Sequence, residues 1–257
     1  MSTSKDYRLL EPTDCSPVAW VNPQSNSPVA LICEHAGNSV PVSLNNLGLS
    51  AVQMQEHIAV DIGAEATARR IAEMLEIPLL LQRYSRLLID CNRPTSAPDS
   101  IPEISHGTHV PANKDLNERQ RNARINEVFV PYDNALVDLL TTPGRMFAFS
   151  IHSFTPTLDK QERPWDIGFL YRNDTQTSKQ LQRYISHHFS ELNIGLNMPY
   201  QIEDESDWFV PRHAERLKLH HSLIEIRNDH INTAAGQKRI ASILAAAIRH
   251  VSSTLFY

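Results

Sequence analysis

PVALICEH (28–35), RMFAFSIH (145–152) and HSLIEIRND (221–229) decide how this chain folds. Each contains an apolar run with the length and composition of a buried strand. Each also carries side chains capable of hydrolytic chemistry: Glu34 and His35, His152, and Glu225. In open α/β sheets, functional groups gather beyond the carboxyl ends of the strands. Two histidines and a carboxylate converging there would suit a metal-assisted hydrolase.

Outward from these islands, strands and helices alternate. The segment 51–77 places Ala64, Ala68, Ile71, Ala72 and Leu75 on one helical face, and Pro78 closes it. Residues 79–92 read as one or two strands and 165–171 as another. A long helix broken at Pro131 is expected over 115–142, with further helices over 176–192 and 234–255. Residues 1–27, rich in Ser, Pro, Asn and Asp, read as an arm over the surface with Trp20 as its anchor. The stretches 37–50, 155–164 and 201–208 read as loops. Residues 94–114 carry Pro94, Pro98, Pro102, Pro111 and Gly107, and a loop that long in a compact domain is a candidate lid. There is no repeat, linker or low-complexity tract. The alternation predicts an α/β fold over 1–257: a single-domain mixed, largely parallel sheet flanked by helices.

A chain of 257 residues can bury a sizeable core. Its net charge of −5 argues against a non-specific nucleic-acid binder, while leaving room for a local basic pocket for an acidic small molecule. The cysteines, Cys15, Cys33 and Cys91, are too few and too widely spaced for a disulfide framework or a thiolate metal site. Cys33 and Cys91 lie in apolar runs and read as small buried hydrophobes, which fits a reducing cytoplasm. No signal-peptide core and no membrane-length apolar stretch is visible, so a cytoplasmic protein that binds no membrane is expected. A homo-oligomer stays open.

The chemistry-bearing residues each have a plainer alternative. His35 follows a strand and precedes Gly37, which lets the backbone turn so that the imidazole projects into a crevice. Alone, it reads equally as a hydrogen-bonded structural histidine, and so does His152. Found together at equivalent strand ends, the two favour ligand roles, but a metal needs a third ligand. Glu34 could supply it only if the strand ends there, because neighbours on an extended strand point to opposite faces. Asp61, in AVDIGA, competes between that role and capping the following helix. Glu225 lies inside an apolar run. It reads either as an ion pair with Arg227 or another arginine, or as a general base that activates water. Arg83, Arg86 and Arg93 cluster near a predicted strand end, where arginine forks could grip carboxylates and Asn92 could donate to an acyl oxygen. Their plainer reading is a set of surface arginines and an Asn-Arg turn.

These residues fall in segments that resemble the N-formylglutamate amidohydrolase family. They are EHAGNSVP (34–41), VDIGA (60–64), YSRLLIDCNR (84–93), PEISHGTHVPAN (102–113), SIHSFTP (150–156), NMPY (197–200), RHAERL (212–217) and IEIRND (224–229). The resemblance implies a phosphorylase/hydrolase-like α/β fold, akin to the zinc carboxypeptidases. It also implies hydrolysis of N-formyl-L-glutamate to formate and L-glutamate, late in one route of histidine breakdown. More distantly, the same elements are similar to zinc carboxypeptidases and aspartoacylase-like deacylases, which implies Asn92 and Arg93 on the substrate carboxylate and Glu225 as general base. One departure stands out: the carboxypeptidase pattern is H-x-x-E, and here Asn38 follows His35-Ala-Gly. The zinc-dependent N-acetylmuramoyl-L-alanine amidases are similar in having a strand-end histidine, a later acid opening a helix, and an S-I-H segment. On that template Asp61 is the carboxylate ligand and Glu34 the alternative.

The expectation is therefore a Zn2+ amidohydrolase. His35, Asp61 and His152 hold the ion and Glu225 is the base. Arg86, Asn92, Arg93 and Arg227 bind the carboxylates of a small acidic N-acyl amino acid, and His213 lines the pocket. Two alternatives remain: a deacylase of another N-acyl amino acid or of a peptidoglycan amide, and a metal-free ligand-binding module on the same scaffold.

Overall fold

A computed structural model describes residues 7–255. In chain order it begins with strands β1 (Val18–Val21) and β2 (Val29–Cys33), helix α1 (Ala64–Leu75) and strand β3 (Leu79–Gln82). A small hairpin follows, β4 (Ile104–Ser105) and β5 (Thr108–His109), then helices α2 (Glu118–Arg124) and α3 (Val130–Thr141). Next come β6 (Phe147–Phe154) and a second hairpin, β7 (Thr157–Leu158) with β8 (Gln161–Glu162). The chain continues through β9 (Ile167–Leu170), α4 (Thr175–His188), β10 (Ile194–Leu196), β11 (His220–Arg227) and α5 (Ala234–Leu255).

Seven strands form one sheet in the order β1-β3-β2-β6-β11-β9-β10. The central strands β3, β2, β6 and β11 run parallel, β1 and β9 pair antiparallel with their inner neighbours, and β10 follows β9. The sheet is thus mixed and largely parallel, as the alternation of strands and helices predicts. Its inner strands are covered on both faces, which is why they read as continuous apolar runs. On one face, Leu31, Phe149, Ile151, Ile224 and Ile226 pack under α1, α4 and α5. On the other, Ile32, Ala148 and Leu223 pack under α3, the turn around Phe209 and the long connections. Trimming one such buried side chain to alanine costs about 2–5 kcal/mol.

Several expectations change. Residues 18–21 of the expected arm form the edge strand β1, paired with β3, and Trp20 packs half-buried against the core. β3 is the only strand in 79–92; beyond it Tyr84 forms an isolated parallel bridge with Ser39, and the rest is turns and irregular chain. β6 runs on to Phe154, so His152 lies inside the strand and not at its end. The expected break at Pro131 is a π-helical turn, Ile125–Phe129, joining α2 to α3, with Pro131 in the first turn of α3, where a missing N–H is tolerated. The Pro-rich loops 94–114 and 155–164 each contain a short hairpin. β10 has three residues and too little apolar pattern to be seen in the sequence. Gly37 is needed for close approach and not for a turn: a Cβ there would collide with the main chain of Arg83.

α4 begins on Asp174, whose carboxylate accepts from the backbone N–H of Thr177 at 3.1 Å, the Thr177 hydroxyl at 2.6 Å and the N–H of His221 at 2.8 Å. Burial raises its pKa and these donors more than offset that, so the carboxyl titrates below its ordinary value. Asp174→Ala should therefore cost about 1–2 kcal/mol in urea denaturation at neutral pH. A carboxyl depressed on folding contributes fully above its unfolded value, about 3.9, and loses that contribution as pH falls through the folded value. The gap between variant and parent should accordingly narrow below about pH 4. A gap that persists unchanged there would mean that the charge contributes nothing.

Candidate metal centre and pocket

The parallel pairing of β6 with β11 sets His152 directly opposite Glu225. β2 ends at Cys33, so the chain leaves the sheet before Glu34 and His35. Asp61 arrives from the loop before α1, its backbone N–H donating to the carbonyl of His35 at 3.1 Å. The helix itself is capped by Gly63, at φ +79°, with no side-chain cap, which leaves the Asp61 carboxylate free to turn inward. Its Oδ2 accepts from the backbone N–H of Ser153 at 3.1 Å.

Three atoms converge: Nδ1 of His35, Nδ1 of His152 and Oδ2 of Asp61. They are separated by 3.1 Å (His152 to His35), 3.1 Å (His152 to Asp61) and 3.5 Å (His35 to Asp61). Tetrahedral zinc with bonds of about 2.0–2.1 Å sets neighbouring ligand atoms about 3.3 Å apart. The triangle fits such an ion, and two imidazoles with a carboxylate are a suitable donor set for it. Each histidine is held from behind. Nε2 of His35 meets Oδ1 of Asp90 at 2.7 Å, and Nε2 of His152 meets Oε2 of Glu34 at 3.0 Å. A carboxylate on the far nitrogen fixes the ring orientation and raises ligand basicity.

The electrostatics follow from burial and contact. Burial opposes the charge on Asp61, but His35 and His152 hold its carboxyl well below the usual range. Burial likewise opposes a charged His152, and its hydrogen bonds to Asp61 and Glu34 hold the imidazole well above its ordinary value. Asp90 is depressed despite burial, chiefly by His35 and Arg86. Glu225 goes the other way. Burial pushes it up to about 7, with His152 working against the rise and Asp61 adding to it. It makes no ion pair among the described residues, and its buried Oε2 has no hydrogen-bond partner.

A cavity of about 440 Å3 opens over this group, lined by the triad, Glu225, Arg86, Asn92 and Arg93 among others. The other expected site residues divide: Arg86, Asn92 and Arg93 line the cavity, and Glu34, Arg227 and His213 do not. Glu34, the alternative ligand, is behind His152 and away from the convergent atoms, with the Ser150 hydroxyl on the same oxygen. Arg86 spans Asp61 at 3.2 Å and Asp90 at 3.0 Å, so its fork grips carboxylates of the protein. The side-chain oxygen of Asn92 accepts from the N–H groups of Trp208 and Phe209, which holds that loop. Arg93 pairs with Asp99 at 3.2 Å and donates to the carbonyl of Ser206. Arg227 reaches neither Glu225 nor the cavity: at the strand end it pairs with Asp166 at 2.9 Å and Asp229 at 2.8 Å. His213 is also outside the cavity, bonded to Asp133 at 2.8 Å and packed edge-on to Trp208.

Asp90 and His57 line the cavity and were not singled out in the sequence. Asp90 lies in YSRLLIDCNR (84–93), but nothing in its spacing links it to His35, 55 residues away. His57 stands four residues before Asp61 and 3.8 Å from its carboxylate, and burial pushes it down to about 4, so it is neutral.

The sequence model of N-formylglutamate amidohydrolase matches residues 27–232. By class the protein is therefore an amidohydrolase. The chain belongs to the N-formylglutamate amidohydrolase family. It is similar to the gene product Atu2144 of Agrobacterium tumefaciens, with 32% identity and a TM-score of 0.88 over 97% of this chain and 100% of that one. The N-formylglutamate amidohydrolase of Ralstonia eutropha JMP134 shares the fold at 16% identity, with a TM-score of 0.65 over 93% of this chain and 98% of that one. No curated protein matches the sequence. No helix among the described residues is long and apolar enough to cross a membrane.

Removing the support behind His35 should weaken metal binding without removing a ligand. Asp90→Asn is expected to lower zinc affinity about 10–100-fold in a chelator competition. Affinity equal to that of the parent would mean that Asp90 does not support His35 as a ligand.

Proposed function

We propose that the protein is a metal-dependent hydrolase of N-acyl amino acids, with N-formyl-L-glutamate as its substrate. The observation that carries this reading is the buried, unpartnered carboxylate of Glu225 beside the triangle of His35, His152 and Asp61. A divalent metal held by that triangle, zinc by its donor set, supplies Lewis-acid polarisation and a lowered water pKa.

The chain's own residues do the rest. Glu225 takes a proton from the attacking water as its oxygen bonds to the acyl carbon, then delivers that proton to the nitrogen as the C–N bond breaks. The products are formate and L-glutamate. Asp90 and Glu34 keep the two imidazoles turned inward, and Arg86 ties Asp61 to Asp90. Ile58, Leu87, Leu170 and Leu223 supply apolar wall to the same cavity, which favours a site poor in water.

Glu225→Gln keeps the shape and removes the base. It should lower kcat for formate release about 10²–10⁴-fold, with KM little changed. Exhaustive chelation of the parent should abolish turnover, and added zinc should restore it. A fully active Glu225→Gln protein, or a chelated protein at full rate, would refute the mechanism. The size of the cavity favours one second reading, a bulkier acyl group. Faster turnover of N-acetyl- or N-succinyl-L-glutamate than of the formyl compound would establish it.

A further inference from the structure

Arg86, Arg93 and Arg227, the arginines expected to hold the substrate, already face carboxylates of the protein. Arg163 does not. It is only 7% exposed, and no carboxylate pairs with it among the described residues. Its Nη1 donates to the hydroxyl of Tyr200 at 2.8 Å, and its guanidinium lies 4.9 Å from the Tyr200 ring centre and 5.8 Å from that of Phe154. Contact with two aromatic faces offsets part of the cost of burying the charge, but it does not replace a counter-ion.

Tyr200 connects this cation to the reaction site. It lines the same cavity as Glu225. Its place is set by main-chain packing: Gly168 lies opposite Glu225 in the β9–β11 pairing, and a Cβ at Gly168 would collide with the carbonyl of Met198. Only a glycine there lets the segment carrying Tyr200 lie against the strand beside Glu225. The phenol oxygen accepts from Arg163, and its own proton goes to no acceptor among the described residues. A phenol polarised by a guanidinium and left with a free O–H is a donor built for an anion.

We propose that Arg163 and Tyr200 anchor a carboxylate of the amino-acid half of the substrate. Tyr200 donates its proton to that carboxylate, and Arg163 supplies the counter-charge behind it. A permanent buried cation calls for a permanent anion, which a substrate carboxylate provides and a fleeting oxyanion does not. The proposal rests on the amidohydrolase reading above and deepens it, because it makes a free carboxylate a requirement of the substrate.

The test compares N-formyl-L-glutamate with its α-carboxamide and with N-formyl-L-glutamine, in the parent, Arg163→Gln, Arg163→Lys and Tyr200→Phe proteins. In the parent, one of the two amides should lose roughly 10–100-fold in kcat/KM, the effect of a lost hydrogen bond to a charged group. In Arg163→Gln and Tyr200→Phe the preference for that carboxylate should collapse, mainly through KM, and Arg163→Lys should recover part of it. Folded variants that keep the full preference would overturn the anchor and leave the amidohydrolase reading intact. Turnover of none of the three compounds by the metal-loaded parent would instead defeat that reading. In that case calorimetric binding of N-formyl-L-glutamate decides the anchor alone: weaker binding to both variants supports it, and equal or absent binding overturns it.

Discussion

The parallel register that sets His152 opposite Glu225 is the constraint on which the site depends. A slip of one residue between β6 and β11 would turn one of the two side chains to the opposite face of the sheet, among the helices. The register is secured by what surrounds it. Phe147, Phe149 and Ile151 on β6, with Ile224 and Ile226 on β11, are fully buried under α1, α4 and α5. A one-residue slip would exchange the apolar side chains of the slipped strand for Ser150 and His152, or for Glu225. Burying an unpaired charge costs several kcal/mol, more than a single strand pairing returns. The apolar face therefore holds the polar face in place.

The two faces divide stability from chemistry. One is a largely apolar layer, in which Ser222 and Ser178 satisfy each other. The other concentrates Glu34, Asp61, Asp90, His35 and His152 in a space from which water is nearly excluded. Such a group is tolerable only when its members satisfy one another, and most do. Glu34 holds His152, Asp90 holds His35, and Arg86 closes the ring between Asp61 and Asp90. A half-satisfied network would be worse than an apolar core, so the few loose ends in this one mark where something else is meant to bind. Oε2 of Glu225, facing the cavity, is such a loose end.

The legibility of this protein in its sequence followed the strands. PVALIC, FAFSIHSF and LIEIR announced themselves because buried parallel strands read as apolar runs, and a histidine or glutamate inside one is out of place. That was enough for the sheet and for His35, His152 and Glu225 to be brought together. Asp61 required a resemblance, because before a helix an aspartate is most often a cap, and only the structure assigns that cap to Gly63. Side-chain partners chosen in loops were not legible. Strand parity put Arg227 beside Glu225, but the strand ends at Arg227 and the guanidinium turns away to Asp166 and Asp229. His213 sits in a matching segment, yet its turn packs on α3 and directs it to Asp133.

Arg163 shows why an arginine left without a counter-ion is hard to find in a sequence. An arginine in sequence carries no sign of whether its counter-ion belongs to the protein. Arg86, Arg93 and Arg227 look better placed because they stand beside acidic or strand-end residues, and that proximity is what occupies them. Arg163 follows a Gln-Glu pair in a Pro-flanked loop and looks like surface. It is buried only because β7 and β8 fold the loop back, with its N–H on the carbonyl of Pro156 and its guanidinium between Phe154 and Tyr200. Beside a cavity crowded with carboxylates, the cation that the protein's own acids leave unpaired stands one side chain back, behind Tyr200.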